Sequence, residues 1–457
     1  MSTTILAGIV LIGGFFLLMM IKVPVTFSML ISTFLSMLLV PGTNPTTIIR
    51  MMFDGVSNFT MLAIPFFIVM GEIMAVGEIS DKIVDLANLA VGRFRGGLAY
   101  VNCLDSMFFG GISGSAVADV SSLGSVVIPM MEKQGYDREF TVGLTVTTAC
   151  QGVLIPPSHN MVIYALAAGG GVSIGQLFYA GFAPGIFLGV GFMVMCFILG
   201  RPSKYNFPKG EKMFKDEKVR WLGKDESGKF RVGPCLKVVG NAILPMFTLV
   251  IIMVGTGVGI FTATESSAIA CFYTFILTYF VFRKAKVREF GKVIKNSLKT
   301  LAVVLTLIAS AKAFAYMMTM LRIPEGITSA LIGVTANPYI LLIIINLLLL
   351  VLGCFMDMAP LIMIMTPILL PVVESSAFTN ALGPMSRIHF GIVLIFNLAI
   401  GLCTPPVGSA LFVGCAVGKT TLENTSKKML PLFAVMLFCL LVVTYVPYIF
   451  QMSLFGY

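Results

Sequence analysis

Apolar positions in this chain come in runs long enough to match a lipid bilayer, and polar positions collect between the runs or at a few points inside them. A crossing helix needs about 20 consecutive apolar residues. Clear runs cover 5–21, 25–40, 61–77, 141–168, 176–200, 238–258, 264–282, 301–321 and 431–452. Two more regions, 98–131 and 339–373, are apolar but interrupted by Gly, Pro and Asp, which predicts helical hairpins that dip into the membrane and return. Two regions hold a double proline: "GVLIPPSHNMVIY" at 152–164 and "GLCTPPVGSALFV" at 401–413. Proline inside a helix removes a backbone donor and costs about 3 kcal/mol. Pro156-Pro157 and Pro405-Pro406 therefore predict helices broken at membrane depth, over 141–168 and 388–418. The expected fold is an all-α polytopic membrane protein with about eleven crossings, two re-entrant hairpins and two broken helices.

The one long hydrophilic stretch, 201–236, divides the chain into halves 1–200 and 237–457. Landmarks recur in the same order in both. "IKVPVTFSML" (21–30) lies over "FTATESSAIA" (261–270), and Glu72 falls on Lys312. "GGISGSAVADVSSLGSVVIP" (110–129) lies over "LGCFMDMAPLIMIMTPILLP" (352–371), pairing Gly111 with Gly353 and Ser115 with Asp357. "GVLIPP" lies over "GLCTPP". Threading the runs starts the halves on opposite membrane faces, so they are expected to be inverted repeats, as in secondary transporters. Broken helices at corresponding positions of such repeats point to a binding site near the midplane.

Composition agrees: 57% of residues are hydrophobic, 11% are charged, and mean hydropathy is +0.97. The net charge of +10 is a topology signal. With the N-terminus outside, 26 of the 31 Lys and Arg fall inside, ten of them within 201–231. Nucleic-acid binding is therefore not expected. The first run has no basic residue before it and no small-residue cleavage site, so it reads as a span. Nine scattered cysteines, with no C-x-x-C pair, read as buried hydrophobes.

Candidate chemistry clusters at the interruptions. Gly110, Gly111 and Gly114 suit a hairpin tip, where Ser113 and Ser115 offer oxygens. Asp357 occupies the matching tip, and an ionisable residue in a membrane is a functional candidate. Carbonyls near Gly152, Gly353 and Gly401, with Ser113, Ser115, Asp357 and Thr404, are the candidate ligands of a sodium ion, and a proton at Asp357 stays open. Ser158, His159 and Asn160 open the helix after the first break and are candidate substrate contacts, with Ser409 at the second break. Glu72 and Lys312 are expected to form a structural ion pair, and Asp105, Asp119 and Glu265 to cap helices. Segments 41–60 and 283–299 are expected as matching amphipathic helices on opposite membrane faces. Arg387, outside, is expected to attract anions.

Other functions explain fewer features. "GISG" (111–114) has the G-x-S-G form of a rhomboid-like intramembrane serine protease, with His159 or His389 as base. Such an enzyme needs neither the repeat nor the second double proline. A channel needs a continuous polar pore, usually from oligomeric symmetry. A pump would show a phosphate-binding G-x-x-x-x-G-K-[ST] loop, which the chain lacks.

"AIPFFIVMGEIM", "GGISGSAVADVSSLGSVVIPMMEKQGYD", "IPPSHNMVIYALAAGG", "TATESSAIA" and "TPPVG" together resemble the large membrane subunit of TRAP transporters, the tripartite ATP-independent periplasmic family. The likeness runs from about 20 to 430. It implies a bacterial or archaeal inner-membrane protein that works with a small four-helix membrane subunit and a periplasmic substrate-binding protein. It also implies sodium-driven import of an organic acid by an elevator motion, with the hairpins and breaks forming the sodium and substrate region. No small subunit precedes the first run, so that partner is expected in trans. "PPSHNMVIY" resembles the sialic-acid branch, with C4-dicarboxylates and other sugar or keto acids next. A single-component sodium- or proton-coupled anion symporter is the alternative. No organic cofactor is expected.

Overall fold

In lipid a backbone segment must satisfy its own hydrogen bonds, so the apolar runs fold as helices. The computed structural model describes residues 3–77, 79–92, 94, 96–200, 232–283, 285–379 and 383–456. The first half contains α1 (Thr3–Met20), α2 (Val25–Leu39), α3 (Pro45–Val56), α4 (Ala63–Val76) and α5 (Ile79–Val91). A hairpin follows, α6 (Gly97–Ser113) and α7 (Ala116–Lys133), then a broken helix, α8 (Arg138–Leu154) and α9 (His159–Ala167), then α10 (Ile174–Gly200). The connecting charged segment, at 201–231, lies outside the described residues.

The second half opens with α11 (Val232–Gly257), α12 (Ala263–Ile276), α13 (Phe290–Met320) and α14 (Ile323–Val334). Its hairpin is α15 (Pro338–Gly353) and α16 (Met358–Val373), followed by the short α17 (Ser376–Thr379). Its broken helix is α18 (Arg387–Gly401) and α19 (Ser409–Val417), and α20 (Leu422–Phe450) ends the fold. Among the described residues, seven helical stretches are long and apolar enough to cross a membrane.

Local chemistry fixes the ends. Asn44 caps α3 by accepting from the Thr46 amide at 2.9 Å, with Pro45 at the first helical position. Thr262 and Glu265 form a reciprocal capping box at the start of α12. Asp137 caps α8 through the Phe140 amide at 2.9 Å and also pairs with Lys428 of α20 at 3.0 Å.

The core is built on two helices buried all round, α18, which is mostly apolar, and α8, which also carries Thr141, Thr145, Thr147, Thr148 and Gln151. Every residue of α8 from Phe140 to Leu154 and of α18 from Ile388 to Gly401 is buried. Hairpin α6–α7 packs on α8, and α15–α16 packs on α18. The pairing then crosses over, with α9 against α16 and α19 against α7. Helices α1 to α4, α12 and α13 contact one another at the periphery.

Four expectations change. Residues 290–299 are the first turns of α13 and no separate helix, because no proline or glycine interrupts the chain between Gly291 and Pro324. Glu72 and Lys312 form no ion pair; those among the described residues join Arg50–Asp54, Arg138–Glu132, Arg387–Glu374, Lys427–Glu423 and Lys428–Asp137. Of the three acids expected to cap helices, Glu265 does so, whereas Asp105 lies in the interior of α6 and Asp119 follows a cap supplied by Ser115. Helices α5 and α14 were not expected, being too short to read as spans. The nine cysteines are free thiols, and Cys150 and Cys403 touch where the two broken helices meet.

Candidate functional site

Each hairpin tip rests on the break of its own half. Helix α6 crosses α8 with Gly110 against Gly152, so close that a Cβ on Gly110 would fall 2.1 Å from the Gly152 Cα. Gly353 of α15 meets Gly401 of α18 in the same way, at 3.1 Å. The helix crossings thus match Gly110 with Gly353, one residue from the Gly111–Gly353 register read in the sequence. Gly114 turns the first tip at φ +61°, and a Cβ there would strike the Pro157 carbonyl at 2.7 Å. At the second break the Val407 amide donates to the Cys354 carbonyl at 3.3 Å.

The breaks expose backbone groups. In a helix the carbonyls of Gly152 and Val153 would be answered by amides at 156 and 157, but both positions are proline. At the second break Gly401 accepts from Thr404 at 3.0 Å, and Leu402 accepts from Ala410 at 3.1 Å. Both double prolines hold cis bonds. Helices α9 and α19 then begin afresh; in α19 the Ala410 and Leu411 amides both turn back to the Leu402 carbonyl, at 3.1 and 3.3 Å, and in α9 the Met161 amide donates to the Ser158 carbonyl at 3.2 Å.

Side chains converge on the same region. Ser115 caps α7 by accepting from Ala118 at 3.4 Å. Asp357 is the corresponding cap residue of α16, but its side chain makes no capping bond and accepts from the Ser409 hydroxyl of α19 at 3.3 Å. Thr404 donates to the Ile400 carbonyl at 2.8 Å, which leaves its lone pairs available. Ser158 is fully buried and its hydroxyl has no partner, although it stands at the N-cap of α9. His159 begins α9 and is half-buried. Asn160 is buried beside it, at 4% exposure. Ser113 ends α6, and its side chain lies outside the described residues.

Two sequence readings do not join the site. Arg387 is held by Glu374 and donates to the Gly170 carbonyl at 3.2 Å, so it clamps the end of the bundle. His389 is fully buried against the Val443 carbonyl at 2.7 Å and is no base for Ser113. The sequence reading also missed a buried polar ladder between α6 and α8. Asn102 donates to Thr145 at 2.7 Å, Thr148 donates to Asn102 at 3.1 Å, and Ser106 donates to Thr148 at 3.2 Å. Asp105 lies beside it in the sequence, fully buried, with neither carboxyl oxygen hydrogen-bonded. The signal was the helical spacing of Asn102, Asp105 and Ser106 against Thr141, Thr145 and Thr148.

Broken helices closed by hairpins, with open carbonyls, hydroxyls and one carboxylate at the junction, define the class as a helical membrane transport protein. The comparisons make the class specific. A family model described as the tripartite ATP-independent periplasmic transporter, DctM component, matches residues 12–449. The chain belongs to that family, as a large membrane subunit of a TRAP transporter and an integral protein of the inner membrane. It is 36% identical over 448 residues to the protein YgiK of Salmonella typhimurium, covering 98% of this chain and 96% of that one. It is 36% identical over 396 residues to the C4-dicarboxylate TRAP transporter large permease protein DctM of Pseudomonas aeruginosa, covering 87% and 86%. It is 32% identical over 437 residues to the sialic acid TRAP transporter large permease protein SiaM of Vibrio cholerae, covering 95% and 96%. A crystal structure of the YdaH transporter of Alcanivorax borkumensis shares the fold, with a TM-score of 0.58 at 13% identity over 94% of this chain and 98% of that one.

Proposed function

We propose that this permease imports an organic acid by coupling it to sodium, with a small four-helix membrane subunit and a periplasmic binding protein that delivers the substrate. The observation that carries the reading is the paired junction, in which each hairpin tip sits on its own helix break and Ser409 bonds Asp357. Sodium is a hard cation that prefers oxygen ligands, and the open carbonyls of Gly152 and Val153 with Ser115, Asp357 and Thr404 fit it. The first amides of α9, with Ser158, His159 and Asn160, suit a carboxylate.

The parallel order of hairpin, broken helix and final long helix in both halves supports inverted repeats. It also supports an elevator motion, in which hairpins and broken helices travel as one body against α1 to α4, α12 and α13. The charge distribution supports a periplasmic N-terminus. The "PPSHNMVIY" stretch favours a sialic acid as substrate, with a C4-dicarboxylate next.

The test is uptake of labelled sialic acid and of succinate into proteoliposomes that contain this chain and its small subunit, with and without sodium and the binding protein. Accumulation that needs both supports the tripartite symporter and identifies the substrate branch. Transport that persists without either one would replace it with a proton-coupled or single-component carrier.

A further inference from the structure

Two cavities of about 260 and 450 Å³ meet at Lys312, which lines both. They lie between α3 and α13 on one side and the ends of α9 and α16 on the other. The distribution of basic residues assigns this face of the protein to the outside. Their sizes approach the lower range of small-molecule sites.

The charges around these cavities are already matched, except for one. Asp54 faces the first cavity and has Arg50 as its partner at 4.0 Å. Glu374 and Arg387 face the second and are paired with each other. Lys312 is half-buried in a membrane helix, has no ion pair among the described residues, and is not joined to Glu72. An unpaired cation at such a place is costly and marks a path for charge. Gly55 of α3 sits directly on its stem, where a Cβ would fall 2.9 Å from the Lys312 Cβ, so the approach of α3 fixes this part of the side chain.

We propose that Lys312 is the receiving group for an incoming organic anion, a carboxylate or sulfonate held in this crevice before it reaches the hairpin tips. The inference rests on the reading that the chain carries such an anion. The crevice lies one step outside the junction. Met363 and Ala165, which line the first cavity, are each six residues along a helix from Asp357 and His159, or about 9 Å. An anion on Lys312 would neutralise the charge there and be released towards the tips as the helices rearrange. Lys312 thereby becomes a determinant of substrate specificity on the stationary side of the route.

Two measurements test this. The first needs no substrate: Ala315→Cys places a thiol in the second cavity, one turn from Lys312. Its external labelling rate is compared for the anionic sulfonatoethyl and the cationic trimethylammonioethyl methanethiosulfonates, with the chain lacking Ala315→Cys as the control for native thiols. Adding Lys312→Gln should lower the anion-to-cation rate ratio about ten-fold. An unchanged ratio, or a thiol that neither reagent reaches, overturns the proposal. The second is proteoliposome uptake of labelled succinate and N-acetylneuraminate. Lys312→Gln should raise the half-saturating concentration of the transported label about ten-fold at an unchanged maximal rate, and Lys312→Arg should restore it. A fall in maximal rate alone overturns the proposal. So does recovery in Lys312→Gln with Asp54→Asn, because Lys312 would then only balance Asp54. If wild-type protein carries neither label while the thiol ratio responds as expected, the sialic-acid and C4-dicarboxylate assignment fails and the anion-receiving crevice stands.

Discussion

Replacing Gly152 by alanine tests the junction most directly. The new Cβ would fall 2.4 Å from the Gly110 Cα, and that neighbour is backbone with no flexible end to swing aside. Ordinary contact begins near 3.4 Å, so α6 and α8 must separate by about 1 Å. Overpacking of this kind costs about 1–3 kcal/mol. The separation also moves the open carbonyls of Gly152 and Val153 away from the hairpin tip, and misplacing ligands by about 1 Å can cost on the order of 100-fold in rate. The assay is sodium-driven uptake in proteoliposomes at several sodium concentrations, alongside thermal unfolding in detergent. Gly240→Ala is the control, since nothing lies within 4 Å of a Cβ there and alanine favours a helix by about 1 kcal/mol. Gly152→Ala is expected to lose at least about ten-fold in uptake and to need more sodium, while Gly240→Ala behaves as wild type. Wild-type uptake and sodium response in Gly152→Ala, or equal damage from Gly240→Ala, would refute the reasoning.

Asp357→Asn should keep the protein folded, because the carboxylate makes no capping bond, and should raise the sodium concentration for half-maximal uptake; an unchanged sodium response removes Asp357 from the cation site. Ser158→Ala should raise the half-saturating substrate concentration with little loss of thermal stability, since its hydroxyl has no partner to lose; a large fall in stability would assign Ser158 a structural role. Arg387→Ala and Glu374→Ala should each destabilise by less than about 1 kcal/mol, as a partly exposed pair does, and the double variant should cost no more than one of them. Thermal unfolding of the three proteins reads that cycle, and full additivity would break the clamp.

Much of this arrangement was legible because its causes are local. Single prolines such as Pro184 and Pro245 stay inside continuous helices, but two adjacent prolines remove two successive donors, so the breaks at 156 and 405 follow from the sequence alone. Gly114 needs a left-handed turn and marks the first tip for the same reason. Partners set by the third dimension were not legible. The match of Glu72 with Lys312 along the chain suggested a pair, but they sit on different helices and do not meet. Arg387 reads in the sequence as an anion-attracting cation, because its partner Glu374 lies thirteen residues away along the chain. Helices α5 and α14, of 13 and 12 residues, are too short to stand out as bilayer-length apolar runs.

The glycine seams divide the site into two kinds of material. Where α6 crosses α8 and α15 crosses α18, main chain meets main chain, so the oxygens beside the first seam belong to every sequence able to adopt the crossing. Point substitution cannot change what such an oxygen is. Positions 158 to 160 and 409 are different, since their contribution is carried by side chains that can be exchanged singly. On the proposed function, the carbonyl part of the ion site is inherited as a shape, while its side-chain ligands and the substrate contacts can drift one residue at a time.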